Sequence, residues 1–129
     1  MGEFLLDTHT LLWFDTDPSQ LSSTVLQLIQ NPSITVFVSS MTVWELGIKF
    51  SLGKLPAAQG LVSSYHGTIS KYGFLEITFT SHDALRAARL PATHKDPFDR
   101  ALVAQALERN LTIVGLDGAL DGLGAQRLW

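Results

Sequence analysis

Five carboxylates occur in sequence surroundings that solubility does not explain. Asp7 closes the apolar run Phe4-Leu5-Leu6, and Glu45 is embedded in Met41-Thr42-Val43-Trp44-Glu45-Leu46-Gly47-Ile48. Asp96 and Asp99 open Asp96-Pro97-Phe98-Asp99-Arg100-Ala101-Leu102, and Asp117 follows the β-like run Leu111-Thr112-Ile113-Val114. An ionised carboxylate is rarely placed among apolar side chains unless it is paired or bound to a cation. Several such acids, drawn from distant parts of one short chain, point to a shared pocket. A cluster of hard oxygen donors suits Mg²⁺ or Mn²⁺. Centres of that kind commonly serve phosphoryl-transfer or phosphodiester chemistry, in which a cation neutralises the anionic ester and acidifies a water.

The elements that must carry these acids alternate between strand and helix. Phe4-Leu5-Leu6 reads as a buried strand, followed by a helix through Leu11, Leu12, Trp13 and Phe14 with Asp7 or Thr8 as N-cap. Leu21, Val25, Leu28 and Ile29 have helical spacing up to the stop at Asn31-Pro32. Residues 34–38 are β-branched and apolar, a second buried strand. Ser39-Ser40 caps a helix over residues 41–52, ended by Gly53. Pro56 opens a helix reaching Lys71 or Tyr72, with Gly73 at its end. Residues 74–77 read as a third strand, and Thr80-Ser81-His82-Asp83 as a capping box before a helix to Leu90. Asp96 caps a helix with Pro97 at its first position, running to about Asn110. Residues 112–116 form a fourth strand, and Gln126-Arg127-Leu128 adds a short edge strand.

This alternation predicts an α/β fold, a three-layer α/β/α sandwich around a mainly parallel sheet of four to five strands. Ligands of such sheets bind beyond the carboxyl ends of the strands. Asp7 and Asp117 each follow a strand directly, while Glu45, Asp96 and Asp99 lie in the first turns of helices. All of them can converge on one edge.

Each acid also has a simpler reading. Asp7 can serve as an N-cap alone, and capping fully explains Asp96 before Pro97. Asp99 can complement the helix dipole. Glu45 has no capping role and is either functional or paired with Lys49 at i+4. Asp117 can be a turn residue before Gly118. Thr8, Ser39 and Ser40 are candidates to hold the site acids, with capping the favoured role for Ser40. His94 is a candidate for contact with a substrate phosphate. Arg100 is a candidate contact for phosphate or for a neighbouring carboxylate. His9 reads as an inert, partly exposed histidine. Trp13, Trp44 and Phe50 read as core or dimer surface rather than base-stacking platforms.

Bulk properties agree with an enzyme of modest size. The 129 residues favour one domain, and 46% hydrophobic residues supply a packed core. The absence of cysteine removes disulfides, thiolate catalysis and cysteine zinc sites, and suits a reducing cytoplasm. The start Met1-Gly2-Glu3-Phe4 does not read as a secretion signal. No apolar run approaches the roughly 20 residues that span a bilayer. The net charge of −3 argues against a large basic nucleic-acid face. No Lys or Arg precedes Lys49. The cations beside the later acids, Lys95, Arg100 and Arg109, are candidates for a local basic rim.

The pattern resembles the PIN-domain family, and within it the VapC-type toxin ribonucleases of toxin–antitoxin pairs. The resemblance rests first on residues 5–13, Leu-Leu-Asp-Thr-His-Thr-Leu-Leu-Trp. Val38-Ser39-Ser40 follows, with residues 43–49, Val-Trp-Glu-Leu-Gly-Ile-Lys. The most specific stretch is residues 94–106, His-Lys-Asp-Pro-Phe-Asp-Arg-Ala-Leu-Val-Ala-Gln-Ala. Ile113-Val114-Gly115-Leu116-Asp117 and the terminal Leu128-Trp129 complete it. The match spans residues 1–129 as a single PIN-like nuclease domain. It implies a cytoplasmic endoribonuclease dependent on Mg²⁺ or Mn²⁺, an RNA substrate, a small cognate antitoxin, a homodimer and no membrane association. By motif, Asp7, Glu45 and Asp99 correspond to the three core acids and Asp117 to the fourth. Those four are the expected catalytic and metal-binding residues. Asp96, Thr8, Ser39, Arg100 and His94 are expected to support them or to touch substrate. Gly115 departs from the pattern, which has Ser or Thr two residues before the fourth acid.

Two other function classes compete. One is a catalytically weak PIN-fold module that binds RNA or protein, against which stands the presence of all the core acids. The other is a phosphatase of the haloacid dehalogenase type with Asp7 as nucleophile. That class normally has Asp two residues further on, where this chain has His9.

Overall fold

Side-chain alternation along the strands decides the architecture, because successive residues of a strand face opposite sides of a sheet. In the computed structural model, which describes residues 2–129, strand β1 (Glu3–Leu6) turns Leu6 to one face and Leu5 to the other. Leu6 joins Val36 and Val38 of β2 (Thr35–Ser39) against helices α1 (Thr8–Thr16), α2 (Ser23–Gln30) and α3 (Ser40–Ser51). The short helices α4 (Gln59–Ser63) and α5 (Tyr65–Tyr72) complete that layer through Leu61, Tyr65 and Ile69. Leu5 joins Ile77 of β3 (Leu75–Ile77) and Ile113 of β4 (Thr112–Val114) on the opposite face. There they meet Leu102, Val103 and Ala106 of α7 (Pro97–Arg109), with Leu120 and Leu123. Each fully buried Leu, Ile or Val contributes about 1.5–3 kcal/mol from the apolar area it removes from water.

The result is the expected three-layer α/β/α sandwich. Its sheet has the order β3-β2-β1-β4-β5, where β5 is Arg127–Leu128, and every pairing is parallel. Helix α6 (Ser81–Arg89) begins with the expected capping box: Thr80 Oγ1 accepts from the Asp83 amide and Asp83 accepts from the Thr80 amide. Among the described residues no helix is long and apolar enough to cross a membrane.

Two expectations change. The long helix from Pro56 is three pieces: a 3₁₀ turn over Pro56–Ala58, then α4, then α5, with Ser64 at φ −132° breaking the run. Ala58, Leu61, Tyr65 and Ile69 must all reach one core, and Gly60 and Gly67 weaken a continuous helix that would otherwise resist the break. The capping serine of α3 is Ser39, whose Oγ accepts from the Met41 amide at 3.0 Å. Ser40 instead accepts from the Phe79 amide at 2.9 Å and ties α3 to the segment after β3.

Candidate active site

Strand order reverses at β1, which has β2 on one side and β4 on the other. A crevice opens beyond the carboxyl ends of strands at such a switch point. Asp7 is the first residue past β1. Its amide donates to Val114 O at 3.0 Å, and the Thr10 hydroxyl donates to the same carbonyl at 2.9 Å. The start of α1 is therefore fastened to the end of β4. Asp7 Oδ1 accepts from the Thr10 amide at 2.8 Å, so the capping reading is correct as far as it goes. The carboxylate is buried, 9% exposed, and its other oxygen is turned toward Gly115. A Cβ at position 115 would fall 2.9 Å from Asp7 Cγ, closer than real Cβ atoms come. The missing side chain at Gly115 is the space this carboxylate uses. Burial pushes the Asp7 pKa up, against the hydrogen bonds from Thr10, and the nearby Asp99 charge adds to the rise.

Asp99 stands in the first turn of α7. Asp96 caps that helix, its Oδ1 accepting from the Phe98 amide at 2.9 Å and the Asp99 amide at 3.2 Å. Asp96 thereby fixes the backbone from which Asp99 projects. Burial raises the Asp99 pKa, a hydrogen bond with His94 opposes this, and repulsion from Asp96 and Glu45 reinforces it. His94 Nε2 lies 2.7 Å from Asp99 Oδ2, and that partner holds the imidazole pKa above its ordinary value.

Glu45 comes from the second turn of α3 and is 4% exposed. The Thr8 hydroxyl donates to its Oε1 at 2.6 Å, and Lys49 Nζ donates to Oε2 at 2.5 Å. The i+4 pairing with Lys49 is present, and it sits beside the other acids. Although burial disfavours its charge, Lys49 is held above its ordinary pKa by Glu45, with Asp96 and Asp99 contributing. Asp117 is exposed and caps the 3₁₀ turn Gly118–Leu123, its Oδ1 accepting from the Ala119 amide at 2.9 Å. It nevertheless approaches the other side of the cluster: ligand atoms of His94, Asp99 and Asp117 all lie within 4.8 Å of one another. Asp7, His9, Trp13, Leu116 and Asp117 line a pocket of about 270 Å³.

The expected basic rim is different in kind. The Arg100 guanidinium donates to four main-chain carbonyls, those of Ala87, Leu90, Pro91 and His94, at 2.6–3.0 Å. It touches no carboxylate; it anchors the loop that carries His94. Arg109 is engaged with Asp83 through two bonds of 2.9 and 3.0 Å. Trp44 packs edge-on against Phe98, ring centroids 5.3 Å apart, and so braces α3 against the start of α7. Arg127 has no signal in its local sequence. It donates to Gly115 O at 3.0 Å and to both oxygens of Asp121, holding the segment that leads to Asp117.

The donor set fits a small divalent cation. Two carboxylates, the buried Asp7 and the half-buried Asp99, are destabilised in their charged form, and Asp99 sits against further donors on His94 and Asp117. A cation bound among them relieves both burial and mutual repulsion.

Comparison with known proteins bears on the fold. The structure resembles FitAcB from Neisseria gonorrhoeae with a TM-score of 0.67 and 20% identity, covering 98% of this chain and 96% of that one. It resembles VapBC2 from Rickettsia felis, solved bound to a DNA fragment from its promoter, with a TM-score of 0.66, 17% identity and coverages of 98% and 97%. For VapBC-1 of nontypeable Haemophilus influenzae the values are 0.65, 16%, 98% and 96%. No curated protein sequence matches significantly. The PIN domain family model matches residues 4–124, which span β1, the whole of α3 and α7, and the turn after Asp117. The chain belongs to the PIN domain family.

Proposed function

We propose that this chain is a Mg²⁺- or Mn²⁺-dependent endoribonuclease and the toxin of a toxin–antitoxin pair. The observation that carries the reading is that, in a PIN domain, Asp99 feels the charge of Glu45 and acts on Asp7, lies within 4.8 Å of a donor atom of Asp117, and that Asp7 and Asp117 line one pocket. Asp7, Asp99, Asp117 and Glu45 would hold the cation. Bound there, it would supply charge neutralisation of the phosphodiester and acidification of the attacking water. The remaining work belongs to the chain. Thr8 and Lys49 orient Glu45 through its two oxygens. Asp96 and Thr10 fix the backbone beside Asp99 and Asp7. Ser39 caps the helix that presents Glu45. Arg100 holds the His94 loop closed over Asp99.

Residues 1–129 act as one nuclease domain in this reading. Similarity to the VapBC and FitAcB complexes supports an antitoxin partner. The exposed apolar face of Trp44, Ile48, Leu52 and Val62 offers it a docking surface, and a homodimer is proposed alongside. The test is incubation with a defined structured RNA and millimolar Mg²⁺ or Mn²⁺, with fragment ends mapped. Site-selective cleavage that stops on chelation is expected. Binding of the RNA without cleavage would favour the non-catalytic module instead.

A further inference from the structure

We propose that His94 is a direct nitrogen ligand of the metal centre, giving the centre a preference for Mn²⁺, Co²⁺ or Zn²⁺ over Mg²⁺. The inference rests on the metal-nuclease reading and adds to it a donor of a different chemical class. His94 Nε2 is 2.7 Å from Asp99 Oδ2, a direct hydrogen bond between two atoms that can each serve as a metal donor. An oxygen of the Asp117 carboxylate lies within the same 4.8 Å grouping, so the imidazole brings a nitrogen donor within reach of two acids of the site. The ring is delivered by a loop that is built, not loose. Arg100 binds the carbonyls at Leu90, Pro91 and His94 and also Ala87 O at the end of α6. With Arg100 itself on α7, the residue directly after Asp99, the same helix fixes both the acid and the loop that faces it.

The chemistry separates the metals. Mg²⁺ takes oxygen ligands and keeps several waters, and gains little from an imidazole. Imidazole nitrogen suits zinc well, and among the first-row divalent ions affinity for a nitrogen-containing site rises from manganese to cobalt. Were Nε2 and Oδ2 both to serve as donors, the proton they share would be released to solvent. Other imidazoles are separable by substitution: His9 packs tilted against Trp13, ring centroids 5.6 Å apart, and His82 pairs with Glu108 far along α7.

The test uses the intact chain with Mn²⁺, comparing wild type, His94→Gln, His9→Gln and Asp99→Asn. Electron spin-echo envelope modulation should reveal ¹⁴N coupling to bound Mn²⁺ in wild type and His9→Gln, and none in His94→Gln. Titration should show Mn²⁺ affinity falling about tenfold in His94→Gln while Mg²⁺ affinity changes by less than about twofold. Glutamine can still donate a hydrogen bond to Asp99, so a merely orienting role would survive the change. Mn²⁺ bound to wild type without nitrogen coupling overturns the proposal, as does an equal loss of Mn²⁺ and Mg²⁺ affinity. No Mn²⁺ binding at all, or binding indifferent to Asp99→Asn, overturns the metal-nuclease reading together with it. A melting temperature under chelator matching that of wild type checks that each variant is folded.

Discussion

The Asp7 carboxylate occupies the space that a side chain at position 115 would fill: a Cβ on Gly115 would sit 2.9 Å from Asp7 Cγ. Gly115 continues directly from β4, and its amide is tied to Leu128 O at 3.1 Å, so the backbone there cannot easily retreat. The carboxylate must therefore yield. We predict that Gly115→Ser turns Asp7 away from the site and weakens Mn²⁺ binding about tenfold, a loss typical of a displaced partner at a metal centre. Calorimetric titration checks this. Unchanged or tighter binding would mean that the serine hydroxyl joins the site and that Gly115 has no part in placing Asp7.

Cation binding should stabilise the fold, because Asp7 and Asp99 are held in surroundings that penalise their charge. At a cation concentration 100 times the dissociation constant, linkage gives about 2.7 kcal/mol, or roughly 10 °C in Tm for a chain of this size. Scanning calorimetry with and without Mn²⁺ reads this directly. Asp99→Asn should lose most of the shift while melting normally under chelator. A Tm indifferent to millimolar Mg²⁺ and Mn²⁺ would contradict the clustered-acid account.

The Arg100 anchor should matter to the loop more than to the core. Replacing it with Met removes a charged donor from four carbonyls, and we predict a loss of about 3 kcal/mol, since bonds to a charged group are individually worth about 1.5–3 and do not add. Hydrogen exchange should rise first at residues 92–95. Exchange that stays at wild-type rates there would show that the loop is held by something else.

Away from the site, Asp83 and Arg109 make a pH-dependent clamp between α6 and α7. Burial of Asp83 favours its neutral form, but the two Arg109 bonds and the Thr80 amide outweigh it and lower the pKa below 3.8. A depressed carboxylate pKa contributes stability that is present above 3.8 and lost as pH falls through the lower folded value. Asp83→Asn should cost about 2 kcal/mol at pH 7, less than a fully buried pair because Arg109 still reaches water. The cost should shrink below pH 3.8, which urea midpoints measured from pH 7 to pH 2 would reveal. A cost independent of pH would show that the ion pair is not the source.

Much of this was legible in the chain because local chemistry and global fold agree. Asp96-Pro97 and Thr80 to Asp83 are helix starts by side-chain geometry alone, and the structure uses them so. The strand runs read at 4–6, 34–38 and 112–116 are short and apolar, as strands of a sheet covered on both faces must be, although β4 itself ends at Val114. Less legible was anything decided across long separations. Arg100 looked like a phosphate contact because a cation beside acids suggests one, whereas its partners are carbonyls that no residue type announces. The role of Gly115 depends on which way Asp7 turns 108 residues earlier, and Arg127 reaches the site only through the pairing of β5 with β4. The break at Ser64 follows from the shape of a core that four separate side chains must share.

The most direct measurement is cleavage of one defined structured RNA by wild type and by Asp99→Asn, expressed and purified identically, with Mn²⁺ present and then chelated. The account predicts cleavage that disappears with chelator and falls at least about a hundredfold in the variant, beyond the loss that removal of an outer hydrogen-bond partner causes at a metal centre. Equal cleavage by both proteins, or cleavage that persists under chelation, would contradict it.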